Sequence, residues 1–377
     1  MRINAYIMAL FIFQFGFLQP IASIVNSQWP IAVFTLSLLI FSVLKNGFKM
    51  KRYVLYTFVI LTIYFFLNAL VYQESSLIIL AIYLGFVSKG FAGLILGSLD
   101  TDWKNLNNAF IKVAIFNFCM VAPFPFMNFL DSMNYMRFGY ALIPSVLIFY
   151  MLALNKGKYK WFWTLLFATS FLLMSLYGSR GTFIAVLIFV LIVLVFNKKI
   201  SVIKKVSTLV IIGLIVYIIG KFNFISRVVD FLYFDMGIKS YSLAKLRLTL
   251  DTSLLEASSG RDGIYSSLMT LISKNPVYGY GIGYAQKTLD FTAHNIFLQV
   301  LLESGIVGLI IWSLIWVYCI KKVIAINNNF KVEYFRLVAL LIALALGRLL
   351  VSSDVWLRPE YWFTISLLIN FKSEKYK

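Results

Sequence analysis

The 377-residue sequence contains one histidine. It is His294, in the stretch "AHNIFLQVLLESGIVG", where Asn295, Gln299, Glu303, Gly305 and Gly308 follow it into an apolar run. An imidazole titrates near neutrality, which suits a general base or a proton shuttle. A plain helix cap or a headgroup contact explains a histidine at a span end equally well. With only one imidazole, a His-rich zinc or di-iron centre is excluded. If the stretch is helical from its first residue, His294, Leu298, Leu301, Gly305 and Gly308 share one face at about 100° per residue. The small residues there admit a close neighbouring helix. Glu303 falls nine residues on, about 13 Å along the axis and on roughly the opposite face, so it is not expected to orient His294. Asn295 and Gln299 fall on a third side.

Four arginines stand out by position. Arg180, in "YGSRGT", sits at a tight turn between two apolar runs, with Ser179 and Gly181 permitting the bend. Its guanidinium either snorkels to lipid phosphate or grips a substrate phosphate as a bidentate fork. Arg261, in "SSGRDGIY", opens a helical stretch in which Ser259 and Asp262 have capping-box spacing, with Asp in place of Glu. That motif does not explain Arg261, whose charge opposes the positive helix end. A bound anion reconciles the two. Arg137, in "NYMRFG", is placed to join them. Arg348 is embedded in an apolar run and requires a buried partner or a wet cavity.

Two further motifs are weaker. "NPVYGYGIG" carries glycines at 279, 281 and 283, but no strand–helix context surrounds it, so a turn feeding the next span is a better reading than a nucleotide loop. "LDTDW" offers Asp100 and Asp102 as a metal-binding pair, yet Asp is also common at a helix start.

The elements that must position these residues follow from composition. Hydrophobic residues make up 61% of the chain and charged residues 13%, against about half and a quarter in soluble domains. Lipid is the solvent such a chain needs. Scanning for about 20 apolar residues per crossing gives about twelve spans, near 3–20, 29–44, 53–72, 77–97, 109–129, 139–154, 161–177, 182–197, 206–220, 294–320, 335–352 and 359–371. The first, which lacks a small-residue cleavage site, reads as a retained span. The expected fold is an all-α polytopic membrane protein, a single domain over residues 1–377.

The net charge of +19 does not point to nucleic acid, because the lysines and arginines concentrate in short loops. Those after the second, sixth, eighth, tenth and last spans all fall on one side. That side is expected to be the cytoplasm, with both termini there. Residues 221–293 form one long connection on the other side, between the ninth and tenth spans. Its mixed charge and the helical spacing of Ile264, Leu268, Leu271 and Ile272, ended by Pro276, predict an extracytoplasmic subdomain with short helices. Val228, Val229, Phe231, Leu232 and Phe234 suggest another helix at the membrane surface. Cys119 and Cys319 lie within apolar runs and are not placed for a disulfide.

"GSRGT", then "SGRDGIY" with "NPVYGYGIG", then "AHNIFLQVLLESGIVG" occur in that order between about Ser170 and Trp316. In this order they resemble the O-antigen polymerase and O-antigen ligase superfamily of bacterial membrane glycosyltransferases. The remainder matches only in topology. The resemblance implies a GT-C-like helical fold in the cytoplasmic (inner) membrane and an undecaprenyl-pyrophosphate-linked glycan donor. It also implies a glycan or lipid-core acceptor, an extracytoplasmic active site, and no metal, nucleotide sugar or other cofactor. Carried onto this chain, Arg180 and Arg261, joined by Arg137, would hold the pyrophosphate. His294 would position or deprotonate the attacking hydroxyl, with Asn295, Gln299 and Glu303 in support. The expected activity is polymerisation of lipid-linked repeat units into O-antigen, capsule or a similar polymer. Membrane lipids and a chain-length regulator are further expected partners, and no nucleic acid is. The ligase reaction shares these motifs. A transporter or flippase without chemistry would instead place charges along several spans, where only Lys89, Lys112 and Arg348 occur.

Overall fold

The computed structural model describes residues 1–47, 49–126, 135–155, 157–179, 181–197, 201–203, 205–207, 224–238, 240, 243–244, 247, 261–351 and 354–371. Among the described residues every regular element is helical. We label the α-helices α1 (Arg2–Ile24), α2 (Trp29–Asn46), α3 (Arg52–Val71), α4 (Ser76–Gly85), α5 (Ala92–Gly97), α6 (Trp103–Val121), α7 (Tyr135–Ala153), α8 (Lys160–Tyr177) and α9 (Gly181–Phe196). After these come α10 (Phe224–Asp230), α11 (Arg261–Lys274), α12 (Tyr284–Leu289), α13 (Ile296–Asn329), α14 (Val332–Leu349) and α15 (Pro359–Asn370). A π-helical turn, Phe86–Phe91, joins α4 to α5 within one apolar rod.

Seven helical segments are long and apolar enough to cross a membrane. α9 is apolar but shorter. α14 carries Glu333, Arg336 and Arg348. The expected stretch at 206–220 lies outside the described residues from position 208 on, and each of the other expected stretches coincides with a helix.

Packing follows the rules for lipid, where small residues and buried amides bring helices together. A Cβ on Gly16 of α1 would lie 2.0 Å from Asn117 Oδ1 of α6, so only glycine allows this approach. Asn117 donates to the Ala141 carbonyl at 3.0 Å and to Ser145 Oγ at 2.9 Å, tying α6 to α7. Gly93 and Gly97 of α5 sit equally close to the backbone of α15 at Pro359 and Phe363.

Side chains fix which connections share an end of the bundle. Lys51 pairs with Asp100 at 2.8 Å, and Asn4 donates to the Asp100 carbonyl at 2.9 Å. Asn327 donates to the Phe196 carbonyl at 2.8 Å, Lys322 to the Phe371 carbonyl at 3.3 Å, and Arg336 to Asn155 Oδ1 at 2.5 Å. The start of α1 and the connections α2–α3, α5–α6, α7–α8 and α13–α14 thus meet at one end with the ends of α9 and α15. This is the end to which the lysine parity assigns them.

Asp100 and Asp102 have local explanations here. Asp100 holds Lys51, and Asp102 is the N-cap of α6, accepting from the Asn105 amide at 2.7 Å. Asp102→Ala is expected to lower stability by about 1 kcal/mol, the usual worth of an Asp cap. Its activity should be unchanged. A specific loss of activity in a folded variant would restore the metal reading.

In the long connection the helical periodicity is realised. Ile264, Leu268, Leu271 and Ile272 lie on α11, which ends before Pro276, and the 228–234 stretch forms α10 and a π-helical turn. Leu268, Ile272, Ala285, Ala293 and Leu302 form a small core that seats α11 and α12 on the first half of α13.

Candidate functional site

α13 is not continuous. Gly305 has φ 61° and ψ −160°, a conformation essentially reserved for glycine, and the helix breaks there. The break frees the Leu302 and Glu303 carbonyls and the Ile306 and Val307 amides. All four find partners in the "NPVYGYGIG" segment. Tyr280 N donates to Leu302 O at 2.8 Å and Gly281 N to Glu303 O at 2.9 Å, while Ile306 N donates to Pro276 O at 2.8 Å and Val307 N to Val277 O at 3.3 Å. Irregular backbone at membrane depth is tolerated only when its polar groups are satisfied in this way. Gly279 and Gly281 have φ of +70° and +86°, and a Cβ on Gly279 would lie 2.6 Å from Leu302 O. The segment is thus more than a turn feeding the next span, because it forms the filling of a broken helix. A polar stripe on α3 holds it from behind. Tyr72 Oη donates to Gly279 O at 3.3 Å, Asn68 Oδ1 accepts from Ile282 N at 3.2 Å, and Tyr64 Oη bonds Ser304 Oγ at 2.7 Å.

The break also corrects the helical-face reading of His294. The helix begins at Ile296, and Asn295 is its N-cap, accepting from the Phe297 and Leu298 amides at 2.9 and 3.3 Å. His294 precedes the cap in a left-handed conformation, φ 52°. It therefore shares no helical face with Leu298, Leu301, Gly305 or Gly308. Gly305 meets the Val277 backbone instead of a neighbouring helix. The ring is half-buried, and Nδ1 lies 3.2 Å from Thr292 Oγ1.

Gln299 and Glu303 point into the protein. Glu303 is buried and accepts from Gln299 Nε2 at 3.0 Å, Trp356 Nε1 at 2.9 Å and Gly283 N at 3.4 Å. Gln299 Oε1 accepts from Val355 N at 3.0 Å. Neighbouring Asp354 is also buried, accepting from Gln286 Nε2 at 3.0 Å and Trp356 N at 2.8 Å. Residues 354–356, in the connection 350–358 between α14 and α15, are therefore bolted to the first half of α13. Trp356 adds packing, with its ring 5.0 Å from Phe65 and 6.0 Å from Trp362.

Burial raises the Asp354 carboxyl above its ordinary range, partly offset by its hydrogen bonds and by Arg358. A raised carboxyl pKa means the folded state holds its proton more tightly than the unfolded chain. The stability this gives is complete below the unfolded value of about 4 and is lost as pH rises through the folded value. Asp354→Asn keeps an acceptor for Trp356 N, and Gln286 can turn its amide to match. We expect this variant to melt with a weaker pH dependence above pH 4 than the parent, and no lower at neutral pH. Identical pH–melting curves for the two proteins would refute the assignment.

The same connection reaches the Arg180 turn. Arg180 itself lies outside the described residues, but its neighbours are placed. A Cβ on Gly181 would lie 2.7 Å from Tyr140 Oη and 3.1 Å from Val351, and one on Gly139 would lie 2.8 Å from Ser179 N. Among the described residues, the buried Ser179 hydroxyl has no hydrogen-bond partner. Arg137 is exposed in the first turn of α7, two residues from Gly139. Arg348 stacks between Tyr140 and Phe15, its guanidinium carbon 4.4 and 4.9 Å from the ring centres. It lines a cavity of about 20 Å³ with Glu360. Arg261 begins α11, and its side chain, like those of Ser259 and Asp262, lies outside the described residues.

Sequence reasoning passed over Asp354, Trp356, Arg358 and Gln286. The available signal was "DVWLRPE", three charged residues of mixed sign and a tryptophan where the last two apolar runs meet.

A model of the O-antigen ligase family matches residues 164–313. The matched segment runs from α8 through the Arg180 turn and the long connection to just past the break in α13, and it contains every motif that carried the resemblance. No curated protein matches the chain.

Proposed function

We propose that this protein is a polysaccharide polymerase of the cytoplasmic membrane. It joins undecaprenyl-pyrophosphate-linked repeat units into a surface polymer on the extracytoplasmic side. One observation carries the reading. Connection 350–358 touches the residue beside Arg180 through Val351, and the helix opened by His294 through Asp354, Val355 and Trp356. It thereby supports a common site for the phosphate-gripping and proton-accepting groups, at the end of the bundle opposite the lysine-rich connections.

In this reading Arg180, Arg261 and Arg137 hold the donor pyrophosphate and stabilise its charge as it leaves. The guanidinium fork suits that oxyanion better than an ammonium would. His294 takes the proton from the acceptor hydroxyl as that oxygen attacks the donor sugar's anomeric carbon. Asn295 caps the helix, and Gln299 and Glu303 hold connection 350–358 in place. The match to an O-antigen ligase family favours a second reading, transfer of finished glycan to a lipid acceptor.

A reconstitution tests both readings. Purified protein given one lipid-linked repeat unit should yield a ladder of longer lipid-linked products. Transfer only when a lipid-core acceptor is added would replace polymerase with ligase. Arg261→Ala and Arg180→Ala should each abolish the ladder in a folded, membrane-inserted protein, and normal ladders in both would remove the pyrophosphate assignment.

A further inference from the structure

Lys112 has no part in the site described above. It lies nine residues into α6, within a segment otherwise apolar enough to cross a membrane. Such a charge is costly in lipid and normally marks a function. α1 and α6 pack tightly deeper in the bundle, where Phe13 meets Phe110 and Gly16 meets Asn117. Nearer the end that holds the lysine-rich connections, where both helices begin, the pair borders a cavity of about 240 Å³ lined by Arg2, Tyr6, Asn105, Asn108, Ile111 and Lys112.

The lining is chemically one-sided. It offers two cations, a phenol and two carboxamides, and no carboxylate. Arg2, Tyr6 and Lys112 line the same cavity, so two like charges are held near one neutral group. Positions 105, 108 and 112 share one face of α6, and 2 and 6 share one face of α1. Both helices begin at the same end of the bundle, so the Lys112 side chain leans back toward that end. Arg2, Asn108 and Lys112 are exposed, so the cavity opens outward on the side where α6 also presents Ile115 and Phe116.

We infer that this cleft binds the phosphate diester of an anionic phospholipid headgroup. Arg2 and Lys112 would neutralise the phosphate, and Tyr6 and Asn108 would donate to its oxygens, while the Asn105 side-chain amide is held by the Asp102 carboxylate. An anion between the two cations relieves their repulsion, and an opening beside apolar Ile115 and Phe116 suits acyl chains better than a free ion. Basic pockets between helices at the membrane surface recognise headgroups in this way. The site is independent of the glycan-transfer site, since it lies at the opposite end of the bundle.

The experiment follows the melting temperature of the purified full-length protein in neutral detergent, titrated with phosphatidylglycerol, phosphatidylcholine or inorganic phosphate. Phosphatidylglycerol alone should raise it. In the Arg2→Gln/Lys112→Gln double variant the phosphatidylglycerol concentration for half effect should rise about 30-fold. A Lys45→Gln/Lys49→Gln variant, altered in an exposed basic connection, should respond like the parent. An unchanged response in the Arg2/Lys112 variant overturns the site. An equal shift with inorganic phosphate, or with phosphatidylcholine, overturns the anionic-headgroup assignment. If the double variant does not fold, Asn108→Leu, which fills the cleft and keeps both charges, carries the test, and a parental response there overturns the site.

Discussion

His294→Asn should stop chain growth and leave the protein folded. Asparagine tolerates the left-handed backbone at position 294, φ 52°, better than alanine does, so it removes the imidazole with little strain. The helix start should survive, because the cap belongs to Asn295 and not to His294. A positioned general base typically contributes a factor of about 10² to 10⁴, and the loss should fall in that range. It should appear in kcat, since proton removal is a transition-state event. Thr292→Val removes the hydroxyl beside Nδ1 and should cost less, because it frees the ring's orientation without removing the base. A His294→Asn protein with parental ladders would show that the residue does no chemistry. A variant that fails to insert would instead mark His294 as a structural residue of the loop.

The second large effect is on folding. Gly305→Ala should prevent accumulation of folded protein. An alanine there must adopt φ 61°, ψ −160°, where its Cβ would lie 2.2 Å from the Val277 carbonyl oxygen. Backbone strain of this kind costs about 1–3 kcal/mol before the overlap is counted. Relief requires moving the 276–283 segment, and that movement would strip partners from four backbone groups at membrane depth. The contrast is Gly263→Ala in α11. A Cβ there meets nothing within 4 Å, and the residue lies inside a helix. That change should raise stability by roughly 0.5–1 kcal/mol. Fluorescence-detected size-exclusion and thermal melts of the two variants decide the matter. A monodisperse Gly305→Ala protein melting with the parent would mean that the break in α13 is not required.

Glu303 and Asp354 show how differently two buried carboxylates can be read from sequence. Glu303 was expected to face away from His294, and it does face elsewhere, but into a network of three donors drawn from α13, the 276–283 segment and connection 350–358. Helical projection gave its direction relative to its own helix and said nothing of what waits there. Its tryptophan donor is 53 positions away in sequence. Asp354 had only the charge pattern of "DVWLRPE" to mark it in sequence, and its contacts with Gln286 and Trp356 give it a role.

The sequence alone determined that the chain is a multi-pass helical membrane protein. It also determined which connections share an end of the bundle and that helices lie in the long connection. These are properties of contiguous residues: apolar run length, clustered lysines and 3.6-residue periodicity each act within a segment and need no knowledge of its neighbours. Motif order placed Arg180, Arg261 and His294 in one family pattern. The tertiary structure alone decided that α13 breaks at Gly305, that His294 stands before the helix and not on it, and that residues 350–358 link the arginine turn to the histidine mouth. Those features arise where distant segments exchange backbone hydrogen bonds. A glycine that enables such an exchange looks the same in sequence as one that merely lets two helices pack closely.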